Sequence, residues 1–348
     1  MTVIYDYISG PWPTGMNFDI TIDGSMGEGG GQVLRTAMTL SCILGKSLRI
    51  YNVRGKREKP GLQRQHVMSI TAASQVCGGR LQGCEINSTE FCFVPGKIIN
   101  GDYTFDIGSA GSTILVLQTI VPILWFATGQ STILVKGGTH NGLSPSFDFY
   151  KEVFCPLLPV KTDAQLLKYG FYPSGGGEVF VKVDPNFKRL SPLIILDRGM
   201  LLTRSLSMTH SKAFDVCGKI NDQLQDTLKC RPIDVEAIGK GMPVLAAQFQ
   251  YSEITEIITV YHQRDIPKTA AEFTKYVTEY QNASAPVDEH LADQLLLSCA
   301  LISGGTYKAT SISKYSKHFE TNVMIIQMFL GQRIYVKEVS DGVEVRIC

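Results

Sequence analysis

The sequence predicts an α/β fold that is assembled from three copies of one unit, with a small α/β domain inserted into the series. The order strand, helix, strand, helix, strand, strand occurs twice, starting near residues 19 and 103, and part of a third copy lies at the end of the chain. The spacing of about 84 residues is long for a solenoid and natural for a repeated α/β unit. Roughly 95 residues with a pattern of their own separate the second and third copies, which predicts the insert.

Hydrophobic periodicity defines the elements of the first copy. A short strand is predicted at 19–22, followed by a helix at 32–44 whose apolar residues fall on one face. Pro60 precedes the second helix, where proline is well tolerated. The other elements are a strand, that helix and a strand pair, at 48–53, 61–76, 80–84 and 90–94.

The second and third copies follow the same order. The second copy has a strand, helix, strand, helix and strand pair at 103–107, 112–126, 131–136, 147–158, 167–172 and 178–183. The visible part of the third has a helix, strand, helix and hairpin at 289–302, 307–311, 317–330, 334–339 and 343–347. Asp341 and Gly342 suit the turn of that hairpin.

These elements predict a division of the chain into domains. Residues 1–18 form an N-terminal extension, and 19–185 together with 282–348 form a large domain of three repeats. The inserted small domain covers 186–281, with the order strand, helix, strand, strand, helix.

Composition bounds the class of protein. The 348 residues are 44% hydrophobic and 19% charged, which predicts a sizeable core and excludes a disordered chain. The net charge of +1 excludes a globally basic nucleic-acid-binding protein and leaves room only for a local basic patch. No apolar run is long enough for a membrane span, and the N-terminus does not resemble a secretory signal. Nine dispersed cysteines without a Cys-x-x-Cys pair favour reduced thiols in an intracellular compartment.

The densest chemical signal is the glycine-rich turn between the first strand and the first helix, at 23–32. Its glycines allow close backbone approach, and the amides at a helix N-terminus suit an anion. The spacing fits neither a dinucleotide-binding fingerprint nor a P-loop. Glu28 and the following Arg35 favour a ligand-binding turn over the alternative of a merely tight connection.

A basic segment follows at 46–66, in which Glu58 is the single acid. Arginine side chains match phosphate geometry, so the segment fits a polyanion or a terminal phosphate. A solvated basic loop explains the composition equally well. Further glycine turns at 108–112, 137–141 and 174–177 suggest one shared cleft, whereas the acids at 288, 289 and 293 also complement a helix dipole.

Seven motifs together resemble the RNA 3′-terminal phosphate cyclase family, and they occur in the family's order over residues 19 to 348. These motifs are DGSMGEGGGQVLR (23–35), VRGKREKPGLQRQH (53–66), GSAGSTILVLQT (108–119), GGTHNGLSPSFDF (137–149), GFYPSGGGEV (170–179), EHLADQLLL (289–297) and KHFETN (317–322). The resemblance implies three βαβαββ repeats similar to the C-terminal domain of translation initiation factor 3, plus an inserted domain. It implies an ATP-dependent enzyme that converts an RNA 3′-phosphate to a 2′,3′-cyclic phosphate through a covalent histidine–AMP intermediate.

The resemblance also implies roles for individual residues. His318 would be the nucleophile, and Glu28 would hold a divalent metal, Mg²⁺ or Mn²⁺. The RNA end would be bound by Arg35, Arg54, Arg57 and Gln65. ATP would be contacted by Gln118, Glu289, His290, Leu291, Ala292 and Asp293.

The chain departs from the family pattern at a few positions, and other functions compete. His290 stands where an aromatic residue is common, and His140 receives no role. A non-catalytic cyclase-like protein in ribosome assembly is the main alternative, and an enolpyruvyl transferase on a similar architecture is a second. We expect a cytoplasmic protein, or a nuclear one in a eukaryote; a homodimer is compatible with the domain sizes, although no residue pattern argues for it.

Overall fold

The computed structural model describes residues 17–142, 144–210, 214–229, 232–236, 241–262, 264–310 and 316–348. Most of the predicted N-terminal extension and the end of the strand predicted at 307–311 lie outside these ranges. The fold is mixed α/β with four small mixed sheets in the described part of the chain, so the predicted fold class is confirmed.

The first repeat forms a four-stranded sheet in the order β1-β2-β4-β3, with β1 and β2 parallel. Along the chain, α1 lies between β1 and β2, and α2 lies between β2 and β3. Helix α1 ends at Gly45, whose φ of 66° is the left-handed conformation that glycine adopts freely. The elements are β1 (Ile20–Asp23), α1 (Gly31–Leu44), β2 (Leu48–Tyr51), α2 (Arg64–Val76), β3 (Arg80–Gln82) and β4 (Phe91–Val94).

The second repeat has the same sheet topology, in the order β5-β6-β8-β7. The helix predicted at 147–158 is a π-helical segment, Phe149–Phe154, that continues into the short α4 (Cys155–Leu157). The strand predicted at 167–172 runs instead as β7 (Val160–Lys168), whose residues alternate between the core and solvent from Val160 to Gln165. The other elements are β5 (Asp102–Asp106), α3 (Thr113–Leu124), β6 (Ser131–Gly137) and β8 (Gly177–Phe187).

The inserted segment follows the short strand β9 (Leu193–Ile195) and forms its own sheet in the order β11-β10-β12-β13. The structure adds one strand to the predicted pattern. The elements of this segment are β10 (Leu201–His210), α5 (Phe214–Leu228), β11 (Ile233–Glu236), β12 (Val244–Tyr251), β13 (Thr255–Tyr261) and α6 (Ile266–Asn282).

The third repeat completes the series with the order β15-β16-β14-β9. Its remaining elements are α7 (Glu289–Leu301), β14 (Gly305–Ala309), α8 (Lys317–Leu330), β15 (Ile334–Val339) and β16 (Gly342–Ile347). β9 pairs in parallel with β14 just as β1 pairs with β2, although β9 lies inside 186–281, the range expected for the insert. The inserted segment therefore interrupts the third repeat between its first strand and its first helix. Because β9 has only three residues, it produces no periodic hydrophobic pattern, and the sequence does not predict this strand.

The repeats share one hydrophobic core because their helices face each other. Helix α1 packs against α2, α3 and α8, which brings the first and third repeats into contact. The inserted segment has a separate core between its sheet and the helices α5 and α6. Among the described residues, no helix combines the length and the apolar character that a membrane span requires.

Candidate active site

A cleft of about 1890 Å³ lies between the repeats and the inserted segment. Ten of the twelve residues that the resemblance assigns to a site line it. They are Glu28, Arg35, Arg54, Arg57, Gln65, Gln118, Glu289, His290, Asp293 and His318. The exceptions are Leu291 and Ala292, which lie on the face of α7 that is fully buried in the core. Any contact of these two with a ligand would have to use the backbone.

The glycine-rich turn holds Glu28 against α8. Gly27 and Gly29 have φ values of 55° and 61°, and a Cβ on Gly27 would lie 2.2 Å from Thr321 Oγ1. The amide of Glu28 donates to that same hydroxyl at 2.9 Å. The close approach requires glycine and fixes the first repeat's turn onto the third repeat's helix.

His318 lies in the first turn of α8, directly opposite Glu28. Its Nδ1 lies 2.7 Å from Glu28 Oε2, and 56% of its side-chain surface is exposed to the cleft. A carboxylate beside Nδ1 favours a proton on that nitrogen and leaves the Nε2 lone pair free. Burial lowers the pKa of His318 below its ordinary value of 6.5, and Arg35 and Arg57 add to the effect, whereas Asp293 opposes it. The imidazole is therefore mainly neutral near pH 7.

Arg57 and Arg54 come from the loop between β2 and α2. Arg57 Nη2 is in close contact with Glu28 Oε1, so the carboxylate touches an arginine on one side and His318 on the other. Arg54 has a φ of 55° and donates from Nη1 to the carbonyls of Lys59 and Gly61, at 2.7 and 2.9 Å. Part of the Arg54 guanidinium therefore shapes the loop, and the rest faces the cleft.

Arg35 begins a polar chain that crosses the interface of α1, α8 and α7. Its Nη2 donates to Gln32 Oε1 at 2.8 Å, and Gln32 donates to Thr36 Oγ1 at 3.1 Å. Thr36 donates to Asn322 Oδ1 at 2.8 Å, and Asn322 Nδ2 donates to Asp293 Oδ1 at 2.9 Å. These contacts connect Arg35, which is predicted to bind phosphate, with Asp293, which is predicted to bind the nucleotide.

Burial shifts the pKa of the residue at each end of this hydrogen-bonded chain. It lowers the pKa of Arg35 to about 10, although the charge of Asp293 opposes the change. It also raises the pKa of Asp293, and the hydrogen bond from Asn322 opposes that shift. Arg35 keeps its positive charge at neutral pH.

Two glutamines connect the second repeat to this site. Gln65 Oε1 accepts a hydrogen bond from the amide of Ser112 at 2.8 Å, which holds the 108–112 turn against α2. Gln118 Nε2 is in close contact with Gln294 Oε1. The side chains of Gln118 and Gln294 therefore form one wall of the cleft beside Glu289 and His290.

Comparison with known proteins identifies the family of this chain. The model of the RNA 3′-terminal phosphate cyclase family matches residues 26–336, most of the chain. The chain belongs to the RNA 3′-terminal phosphate cyclase family. Relatives named RNA 3′-terminal phosphate cyclase include one from Ralstonia nicotianae, 40% identical over 94% of this chain and 96% of its own length. Others come from Pseudomonas fluorescens, 38% identical over 93% and 96%, and from Koribacter versatilis, 36% identical over 96% of each chain.

In this cyclase-family chain, several residues in and around the cleft have contacts that the sequence did not predict. Gln32, Thr36 and Asn322 complete the polar chain, Thr321 anchors the glycine turn, and Gln294 contacts Gln118. Helical spacing gave a weak signal for the first pair, because Gln32 and Thr36 are four residues apart on one face of α1. Nothing local marks Asn322, whose partners belong to other helices.

Proposed function

We propose that this protein is an ATP-dependent RNA 3′-terminal phosphate cyclase that acts through a histidine–AMP intermediate. The contact between His318 and Glu28, beside Arg57, is the single observation that supports it most strongly. A half-exposed imidazole whose Nδ1 lies beside a carboxylate, with its pKa lowered by burial, is a prepared nucleophile. The arginines around it complement the charge of phosphate groups.

The first step would be attack by His318 Nε2 on the α-phosphorus of ATP. A phosphorus–nitrogen bond forms, the bond from the α-phosphorus to the bridging oxygen breaks, and pyrophosphate leaves with that electron pair. Glu28 stabilises the positive charge that develops on the imidazole, because its carboxylate lies next to Nδ1. Arg57 neutralises charge at the leaving group.

Two further transfers would then complete the reaction. An oxygen of the RNA 3′-phosphate attacks the phosphorus of AMP, and the electrons of the phosphorus–nitrogen bond return to His318 Nε2. The neighbouring O2′ then attacks the 3′-phosphorus, loses its proton to solvent and expels AMP. Adenylation is needed because a phosphate monoester has no good leaving group, and AMP supplies one.

The proposed ligand contacts divide between the two sides of the cleft. The RNA end would be bound by Arg35, Arg54, Arg57 and Gln65, since they lie on the first repeat and line the same cleft as His318. The adenine nucleotide would lie along Gln118 and the first turn of α7. The residues of α7 that would contact it are Glu289, His290, Leu291, Ala292 and Asp293.

A divalent metal would fit this site only as a companion of ATP. No cluster of three or more acidic, histidine or cysteine side chains among the described residues could hold an ion alone. Glu28 Oε2 is buried and accepts no well-aligned hydrogen bond, so it is available as one hard oxygen ligand. Glu28 would hold the ion, and Mg²⁺ or Mn²⁺ would supply positive charge that offsets the charge of the phosphates.

The direct test is the conversion of an RNA oligonucleotide with a 3′-phosphate, incubated with ATP and Mg²⁺, to a 2′,3′-cyclic phosphate end. We expect conversion by the wild type and none by His318→Ala, with the same oligonucleotide ending in a 3′-hydroxyl as an unreactive control. RNA binding without any conversion would favour the alternative, a non-catalytic cyclase-like protein. A cytoplasmic location and a homodimer remain predictions, which fractionation and light scattering would test.

A further inference from the structure

The inserted segment has no part in the proposed reaction, yet it holds the stretch of chain that leads into α7. This return segment, 285–288, follows α6 and ends where α7 begins. Asp288, Glu289 and His290 at the start of α7 line the cleft. Val287 pairs with β14 of the third repeat, whereas the other three residues of the return segment contact the inserted segment.

Two side chains of the inserted segment bind the first half of the return segment. Arg198, which precedes β10, donates from Nε and Nη2 to the carbonyl of Ala285, at 2.9 and 2.7 Å. The hydroxyl of Tyr280, on α6, donates to the carbonyl of Pro286 at 3.2 Å. Consecutive backbone carbonyls are therefore held from the side of the inserted segment.

Glu256 contacts the residue at which α7 begins. Asp288 caps this helix, because its Oδ1 accepts a hydrogen bond from the amide of Leu291 at 2.7 Å. The amide of Asp288 itself hydrogen-bonds to the carboxyl group of Glu256, a fully buried residue of β13. The amide of Ile257 also donates to this group, at 3.0 Å from Oε1. The inserted sheet thus supplies an acceptor to the capping residue of α7.

The rest of α7 is held by the repeats. The hydroxyl of Tyr307 donates to the carbonyl of Ala292 at 2.7 Å, and Asn322 Nδ2 donates to the carbonyl of Asp293 at 3.0 Å. These contacts lie beyond 288–290, the part of α7 that faces the proposed nucleotide. The two ends of the first turn are therefore held by different parts of the chain.

The burial of Glu256 is unfavourable unless its contacts compensate for it. Its Oε2 is buried and, among the described residues, accepts no well-aligned hydrogen bond. An apolar side chain of similar length would avoid this cost. The position suits a residue whose value lies in the group that it holds, which is the amide of Asp288.

We propose that the inserted segment positions the nucleotide-binding turn of α7, and that Glu256 is the positioning residue through its contact with the amide of Asp288. The inference rests on the proposed function for its ligand, which is ATP. Glu256 would not touch the nucleotide. It would keep the start of α7 in the conformation that binds ATP, so losing the contact lowers the apparent affinity.

Four variants separate this role from general stability. Glu256→Met removes the acceptor and keeps the length of the side chain, whereas Glu256→Gln keeps an acceptor oxygen. Tyr280→Phe removes the hydroxyl that binds Pro286 and tests the return segment from a second side. Ile220→Val deletes one methyl group from the core of the inserted segment, on α5, so it lowers stability without touching the return segment.

The experiment compares the binding of two ligands to the full chain. One is α,β-methylene ATP with Mg²⁺, whose methylene bridge prevents transfer of AMP, and the other is RNA with a 3′-phosphate. We expect Glu256→Met to bind the nucleotide about threefold to tenfold more weakly, since one hydrogen bond has that effect. Its affinity for RNA should stay unchanged. Tyr280→Phe should show a smaller change of the same kind, and Glu256→Gln and Ile220→Val should match the wild type.

Hydrogen exchange tests the positioning without any ligand. The amides of Asp288, Leu291 and Ala292 are hydrogen-bonded at the start of α7. They should exchange at least threefold faster in Glu256→Met, whereas amides at 295–301, in the second half of α7, should keep the wild-type rate.

Wild-type affinity of Glu256→Met for the nucleotide, or an equal loss in Ile220→Val, would overturn the proposal and leave the proposed function intact. A parallel loss of RNA affinity would also overturn it, because a general disturbance of the cleft would then explain the result. If the wild type binds no nucleotide, the proposed function fails. Hydrogen exchange still decides the positioning role in that case, and equal rates at 288–292 in Glu256→Met and the wild type would refute it.

Discussion

His318 Nδ1 lies 2.7 Å from Glu28 Oε2, so a carboxylate from the first repeat contacts an imidazole from the third. The contact depends on Gly27, because only a residue without a side chain lets the glycine turn approach Thr321 on α8. The repeated architecture thus creates a site that no single repeat contains.

Glu28→Gln tests what this carboxylate contributes. The substitution keeps the size of the side chain but removes its charge, so the developing imidazolium loses its stabilising partner. We expect protein adenylation by ATP to slow about a hundredfold or more under single-turnover conditions. Glu320→Gln, which neutralises an exposed acid in the same turn of α8, is the matched control and should keep the wild-type rate.

Gly31→Ala tests the close packing of Arg35 and His66, two side chains that line the cleft, against the start of α1. The new methyl group would lie 2.8 Å from Arg35 Nη1 and His66 Nε2, and so would displace one or both. We expect cyclase activity to fall about tenfold or more while the unfolding midpoint changes little. Gly101→Ala places its methyl group in open space and should leave activity unchanged. Equal activities for the two variants would show that the positions of these two side chains do not matter for activity.

Arg198 joins the two segments that lead into and out of the inserted domain. Its guanidinium donates to the carbonyls of Ala285 and Tyr280, at distances from 2.7 to 2.9 Å, and lies 3.9 Å from the ring centre of Tyr280. Arg198→Met would leave these carbonyls without a donor, at a cost of about 2–4 kcal/mol in unfolding free energy. Urea denaturation measures the effect, and the exposed Arg204→Met should cost far less.

Glu256 predicts a pH dependence of stability. Its carboxyl is fully buried, and burial together with the Asp288 charge raises its pKa well above 4.5, although the amide of Ile257 opposes the shift. Because the unfolded chain ionises first, this group destabilises the folded state progressively as the pH rises above 4.5. Glu256→Gln should therefore raise the melting temperature at pH 7–8 by about 2–4 °C, and the gain should vanish near pH 4.

Glu253→Gln is the control for this prediction, because Glu253 is exposed and lies on the same hairpin outside the core. A gain that is the same at pH 4 and pH 8 would show that ionisation of Glu256 is not its cause.

Local patterns predicted the repeated α/β fold because each repeat carries its own periodic elements. The sequence could not reveal β9, since a three-residue strand is recognised only by its partner β14. The π-helical segment at Phe149–Phe154 has the same apolar spacing as an α-helix over so short a length, so its type was equally hidden.

The candidate site shows the same division between local and distant information. Glu28 and Arg57 stand in dense motifs, and the structure brings both to the cleft that His318 lines. The role of Asn322 follows only from its contacts with Thr36 and Asp293 on other helices. Such contacts depend on tertiary packing, which a single sequence does not display.

Incubation with ATP that is radiolabelled at the α-phosphate tests the central claim most directly. We predict that the wild-type protein, with Mg²⁺, retains the label after denaturation in an acid-labile, alkali-stable bond, and that His318→Ala retains none. Label on the variant, or an unlabelled wild-type protein that still binds ATP, would contradict a histidine–AMP intermediate at His318.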